Sequence, residues 1–159
     1  MLTVRKYPDP ILTKVTSKVI LFDKFFHDIL DEMSKVMKKE NGIGLAANQV
    51  GMSLRFFVMQ DTKGKFWEFI NPEILDRDGH IADFNEGCLS APGVFVQIPR
   101  AQNITVKAQD RNGQEFTVVC QDIEAVCVQH EVDHLDGIFF LEKTSRNQRR
   151  AAFRTLGLK

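Results

Sequence analysis

The stretch Val126–Gly137, VCVQHEVDHLDG, holds two histidines four positions apart, with a glutamate directly after the first. On a helix, residues four apart lie one above the other on one face. His130 and His134 would then project side by side, close enough to share one metal ion. Glu131 is turned away from them by about 100°. Its carboxylate can sit beside the ion without binding it and take a proton from water activated there. Ile123, Ala125, Val126, Cys127 and Val128 make the same helix apolar almost all round, which marks it as buried. Imidazoles on such a helix are poorly solvated and need a partner. A lone buried histidine is more often a hydrogen-bonded core residue. The paired spacing on a buried helix favours a metal.

An ion needs a third protein ligand. The longer zinc-protease motif would place a histidine where this chain has Phe140, and Glu142 falls beyond the expected helix end. The third ligand is therefore expected upstream. His27 lies on the polar side of an amphipathic helix and His80 beside Asp78-Gly79 in a turn, so both read as solvated. Cys120 ends a strand run and reads as a small core residue. Cys127 shares a helix face with His130 and reads as a wall. Cys88 stands apart, displayed on the tight loop NEGCLSAPG (Asn85–Gly93). Two histidines and a thiolate would leave a fourth position for water, as a catalytic site requires. The alternative is that Cys88 is a nucleophile activated by a histidine. That leaves the histidine pair and Glu131 without a role.

The remaining pattern places this helix in an α+β fold. Apolar spacing predicts a helix over Asp23–Lys39, with Asp23 as N-cap and Asn41-Gly42 as the stop. LRFFVM and KFWEFI read as strands, the second ended by Asn71-Pro72, and HIADFN as another. NITVKAQD and QEFTVVC flank Arg111-Asn112-Gly113, a hairpin signal. Asp122 is the expected N-cap of the histidine helix and Gly137 its end. A last helix is predicted over Thr144–Leu156, with Arg146, Arg149, Arg150 and Arg154 facing solvent. The expectation is one domain, residues 1–159, of antiparallel strands packed around the buried helix, plus a C-terminal helix.

Composition narrows the function classes. The 21 Lys and Arg balance the 21 Asp and Glu, which gives no electrostatic case for specific nucleic-acid binding. No apolar run reaches membrane-spanning length, and MLTVRKYPDP lacks the apolar core of a signal peptide. Three cysteines do not make a disulfide framework, so a reducing cytoplasm is expected. Thirteen Phe against one Trp and one Tyr suggest a dry, Phe-packed interior.

Three segments together carry a family resemblance. GIGLAANQVG (Gly42–Gly51), EGCLS (Glu86–Ser90) and QHEVDHLDG (Gln129–Gly137) resemble, in order and separation, the signature motifs of peptide deformylases. YPDPIL resembles the family's N-terminal segment, so the likeness runs from about Tyr7 to Phe140. It implies an enzyme that removes the formyl group from N-formylmethionyl nascent proteins. It also implies Cys88, His130 and His134 as metal ligands and Glu131 as general base and then acid. Gln49 and the Leu89 N–H would bind the oxyanion. The resemblance implies one divalent ion, usually Fe(II), with nickel, cobalt or zinc able to stand in.

Substrate contacts are expected at Ile43, Gly44, Gly87, Ile123, Val126 and Cys127. Ile123, Val126 and Cys127 would line a methionine slot, although Ile123 and Val126 could simply be core. Backbone groups of Ile43 and Gly44 would pair with the peptide as an added strand, and Gly42 and Gly44 would let the chain pass close to it. This chain departs from the common pattern at Ala91 and at Glu142-Lys143, outside the catalytic set. The basic last helix reads first as a solvated face, with a transient ribosome contact as the alternative. Two rivals stand: a small metallopeptidase, disfavoured by the missing downstream ligand, and a non-catalytic peptide binder, disfavoured because Glu131 and Gln49 are both present.

Overall fold

A computed structural model describes residues 1–159. The first helix, α1 (Lys24–Lys39), begins where expected. Asp23 caps it, its carboxylate accepting the Phe26 N–H at 2.9 Å. Five strands follow the order of the chain across a single antiparallel sheet: β1 (Gly44–Ala46), β2 (Phe56–Gln60), β3 (Phe66–Cys88), β4 (Ala91–Gln109) and β5 (Glu115–Gln121). The histidine helix, α2 (Asp122–Leu135), leads directly out of β5, and α3 (Arg146–Thr155) closes the chain. No helix is long and apolar enough to cross a membrane.

Alternation along β2 explains how both long helices find a core. Phe57 and Met59 point to one face of the sheet, where Phe69, Ile104 and Val106 meet Ala125, Val128 and Val132 of α2. Phe56 and Val58 point to the other, against Phe26, Leu30, Met33 and Met37 of α1. Each of these fully buried apolar side chains contributes roughly 1.5–3 kcal/mol over exposure. The Phe-packed interior is only part of the aromatic pattern, since Phe25, Phe66 and Phe95 are exposed.

Three boundaries and one side-chain orientation differ from the sequence expectation. Asn71-Pro72 does not end the strand; it is absorbed in a bulge between Ile70 and Glu73. There Asn71 takes φ 52°, its side chain bonds both backbone groups of Val19, and Pro72 needs no ladder N–H. β4 begins at Ala91 rather than Asn103, because Pro92-Gly93-Val94 loop out between the pairs Cys88–Ala91 and Gly87–Phe95. The N-cap of α2 is Gln121, with no side-chain capping bond, and Asp122 accepts from Gln102 instead. Arg149 does not face solvent freely but donates to the carbonyls of Leu141 and Thr144.

The N-terminal segment crosses the end of α2. Thr16 donates twice to the Leu135 carbonyl, from its N–H at 3.0 Å and its hydroxyl at 2.8 Å. Gly137 ends the helix at φ 74°, and a Cβ there would lie 2.9 Å from the Lys14 carbonyl carbon. Gly137→Ala therefore meets both a left-handed backbone and a crossing chain. We expect a loss of about 2 kcal/mol in urea unfolding. A change under about 0.5 kcal/mol would show that the crossing segment yields.

Candidate metal centre

Helical spacing brings the two imidazoles of α2 together edge-on, with centroids 4.9 Å apart and planes at 70°. Cys88 arrives from the end of β3, where the turn Leu89-Ser90 aims it at the helix. Its Sγ lies 3.4 Å from His134 Nε2, and one ligand atom from each of Cys88, His130 and His134 falls within 4.8 Å of the others. A tetrahedral ion with metal–sulfur and metal–nitrogen bonds of about 2.3 and 2.0 Å would place S and N roughly 3.5 Å apart. The donor set fits that spacing.

Its electrostatics fit as well. His130 Nδ1–H donates to Glu86 at 2.8 Å, which leaves Nε2 for the ion. Burial opposes a charge on His130. The neighbouring Cys88 and Glu86 overcome it, raising its proton affinity well above the ordinary value. A metal ion held by the same residues would take the place of that proton. Burial, with the positive fields of His130 and Arg100, holds His134 well below its usual pKa, in the neutral form a ligand must have. Cys127, fully enclosed beside Glu131, is pushed well up and stays a neutral thiol, which suits a wall and not a ligand.

Behind the ligands runs a buried chain of charge. Burial alone would raise the pKa of Glu86, but His130 and Arg100 hold it below the usual range. Arg100 grips Glu86 through Nε at 2.7 Å and Nη2 at 3.0 Å, and Asp133 through Nη1 at 2.5 Å. Lys143 reaches Asp133 at 2.9 Å. The sequence reading gave Glu86, Arg100 and Asp133 no role. The available signal was charge at positions whose neighbours are apolar, as in FVQIPRA, where Arg100 is only 3% exposed.

Glu131 stands apart from this network. It is 3% exposed, and its Oε1 has no protein partner. Burial drives its pKa up to about 7, with the positive His130 field opposing and the Glu86 field adding. Gln49 is oriented from both ends: Oε1 accepts the Ala46 N–H at 2.9 Å, while Nε2 donates to Ser90 Oγ at 3.1 Å and lies 3.5 Å from Cys88 Sγ. Ser90, fully buried, is a second residue that sequence reasoning missed.

One cleft of about 450 Å³ gathers Cys88, His130, Glu131, Gln49 and Leu89 with Ile43, Gly44, Gly87, Ile123, Val126 and Cys127. His134 is sealed beneath it. Ile123 is 52% exposed at the rim, so it is not core, whereas Val126 is buried. Phe95, which sequence reasoning also missed, is 67% exposed on the opposite wall. Gly44 makes room for the helix itself. A Cβ there would lie 2.5 Å from Glu131 Oε2 and 2.6 Å from Cys127 Sγ. The Ile43 carbonyl accepts the Gln60 N–H at 2.9 Å, so alternation turns the Gly44 backbone to the open edge of the sheet. His27 and His80 lie outside the cleft, His27 held 2.6 Å from the Arg111 carbonyl and His80 exposed.

Comparisons agree with this geometry. The family model described as polypeptide deformylase matches residues 1–150. A peptide deformylase of Chromobacterium violaceum is 40% identical over 148 residues, 92% of this chain and 88% of the relative. One from Dictyoglomus turgidum is 45% identical over 143 residues, 90% and 92% of the two chains. The crystal structure of a peptide deformylase from Legionella pneumophila superposes with TM-score 0.94 at 37% identity, covering 99% of this chain and 94% of that one. A Synechococcus elongatus peptide deformylase in complex with actinonin gives 0.95 at 31%, covering 99% and 87%.

Arg100→Met would leave Glu86 and Asp133 buried without their shared cation. We expect about 3–5 kcal/mol lost in urea unfolding. Chelator competition should show metal affinity weakened by about 10–100-fold as His130 loses its fixed orientation. Unchanged affinity would mean that Glu86 holds the imidazole without help.

Proposed function

The chain belongs to the peptide deformylase family, a metal-dependent hydrolase that removes the N-formyl group from nascent peptides, and on that premise we propose a role for each residue of the cleft. Cys88, His130 and His134 hold the ion. When bound, it supplies Lewis acidity, making water nucleophilic near neutral pH and polarising the formyl carbonyl.

Glu131 then moves the protons. Its unpartnered Oε1 takes a proton from the attacking water as the new C–O bond forms. Negative charge collects on the former carbonyl oxygen, where Gln49 Nε2–H and the Leu89 N–H donate to it. The amide of Gln49 suits this because it donates without adding charge. Its Oε1 is already committed to Ala46, so only the NH₂ end can face the reaction. Glu131 gives its proton to the departing nitrogen, the C–N bond breaks, and formate and a free amine leave.

Ile43, Gly87, Ile123, Val126 and Cys127 form the slot for the methionine side chain, whose flexible thioether suits an irregular apolar lining. The Gly44 backbone, on the open sheet edge, pairs with the peptide. We assign Fe(II) as the physiological ion and the cytoplasm as the compartment. Three free thiols support a reducing environment. The exposed Arg146, Arg150 and Arg154 are read as a solvated face, and salt-sensitive retention on ribosomes would assign them a docking role instead.

The observation that carries the reading is the buried, unpartnered carboxylate of Glu131 beside a complete Cys-His-His donor set. Anaerobically prepared protein loaded with Fe(II) or Ni(II) should release formate from a formyl-Met tripeptide. Glu131→Gln should lower kcat by roughly 10²–10⁴-fold with metal content unchanged. Cys88→Ala should lose the ion. If Glu131→Gln keeps more than about a tenth of the rate, the proton-transfer role is wrong. Activity of the Fe(II) form should also decay in air faster than that of the Ni(II) form, as thiolate oxidation proceeds. Equal decay would remove the support for iron.

A further inference from the structure

Three consecutive residues near the N-terminus reach the groups assigned to the oxyanion. The Arg5 N–H donates to the Gln49 carbonyl at 2.6 Å, and the Tyr7 N–H to the Ser90 carbonyl at 2.9 Å. Between them, Lys6 Nζ donates to the Leu89 carbonyl at 2.8 Å. Gln49 and Ser90 are themselves joined, side chain to side chain, at 3.1 Å. One short segment thus binds both loops that supply oxyanion donors.

The segment is a firm base for this. Val4 is buried in the same cluster as Val50. The Tyr7 ring stacks on Phe139 at 4.5 Å, and Phe139 packs edge-on against His134 at 5.9 Å. Lys6 differs from its neighbours because its contribution comes from the side chain. It is exposed and packs in no core, yet its ammonium is directed at the turn on the cleft wall.

We propose that Lys6 is a positioning residue for deformylation, holding the Leu89 carbonyl so that the Leu89-Ser90 turn presents the Leu89 N–H to the developing oxyanion. This rests on the reading of Leu89 and Gln49 as oxyanion donors. The Leu89 carbonyl belongs to the peptide unit that follows the one bearing the Leu89 N–H, so holding it restrains the backbone torsions of Leu89 and limits how far the N–H can turn away. A charged donor holds more strongly than water does. Donors already aimed need no reorganisation during reaction, so loosening the turn costs rate more than substrate binding. Tyr7 still holds the neighbouring Ser90 carbonyl, so loss of Lys6 loosens the turn without releasing it.

The test compares full-length, Ni(II)-loaded wild type with Lys6→Met, Lys6→Arg and Gln49→Ala in formate release from a formyl-Met tripeptide. Lys6→Met should lower kcat by about five- to tenfold with KM changed by less than about twofold. Tm and metal content should match wild type, and Lys6→Arg should recover most of the rate. An unchanged kcat, a loss confined to KM, or no rescue by arginine would overturn the proposal. Gln49→Ala separates it from the reading beneath it. A cost of about 10²-fold there, with none from Lys6→Met, sinks only the role of Lys6. No cost from Gln49→Ala would sink the oxyanion assignment itself.

Discussion

Arg100 is the cation around which the interior is arranged. It lies on β4, 3% exposed, and holds Glu86 of β3 with one side of its guanidinium and Asp133 of α2 with the other. Burying these charges is costly, and removing Arg100 would leave Glu86 and Asp133 without their shared cation in a medium of low dielectric. The planar fork of arginine can serve two carboxylates at once, which lysine could not do with the same geometry. The arrangement locks the helix to the sheet at one register. Glu86 passes the constraint to His130, and Cys88, two residues further along β3, then meets His134. A structural ion pair thereby places a thiol and two imidazoles around one point.

The unsatisfied atoms are as informative as the satisfied ones. Nearly every buried polar side chain has a partner, and the exceptions are Asn48 Oδ1, Glu131 Oε1 and His134 Nδ1. A folded chain tolerates such an atom where it serves a purpose other than stability. For Glu131 the cost is visible in a pKa that burial pushes up to about 7. Gly44, at the start of β1, brings strand backbone so close to the carboxylate that no side chain fits between them.

Much of this was legible in the sequence, and what was not legible has a physical cause. The helix spacing of His130 and His134 and the alternation of β2 are local periodicities, readable from a few neighbouring residues. Cys88 was legible from its tight loop and the lack of a downstream ligand, Gln49 only through a motif, and both sit in the cleft. Arg100 with Asp133, and Lys6 with Leu89, are pairs separated by 33 and 83 positions. Nothing in either residue's neighbourhood announces its partner. The strand boundaries failed for a related reason. Asn71-Pro72 is a stop signal locally, but distant Val19 satisfies the Asn71 side chain and lets the strand continue. Phe95 sits in GVFVQIPR, which reads locally as a loop, whereas it is part of β4 along the cleft wall.

The charges inside the site favour a cation among Cys88, His130 and His134. Glu86, Asp133 and Glu131 are carboxylates at most 6% exposed, and Cys88 must be a thiolate to serve as a ligand. Arg100 and Lys143 supply the facing positive charge. Burial holds the Glu131 pKa up to about 7, so it is partly neutral, and Glu86, Asp133 and a ligating Cys88 still outnumber the two cations where unpaired charge is strongly disfavoured. A metal cation among Cys88, His130 and His134 would offset the excess. The same neutrality explains why both histidines must stay uncharged. A second proton on the pair would repel the ion, and burial together with the Arg100 field already keeps His134 neutral.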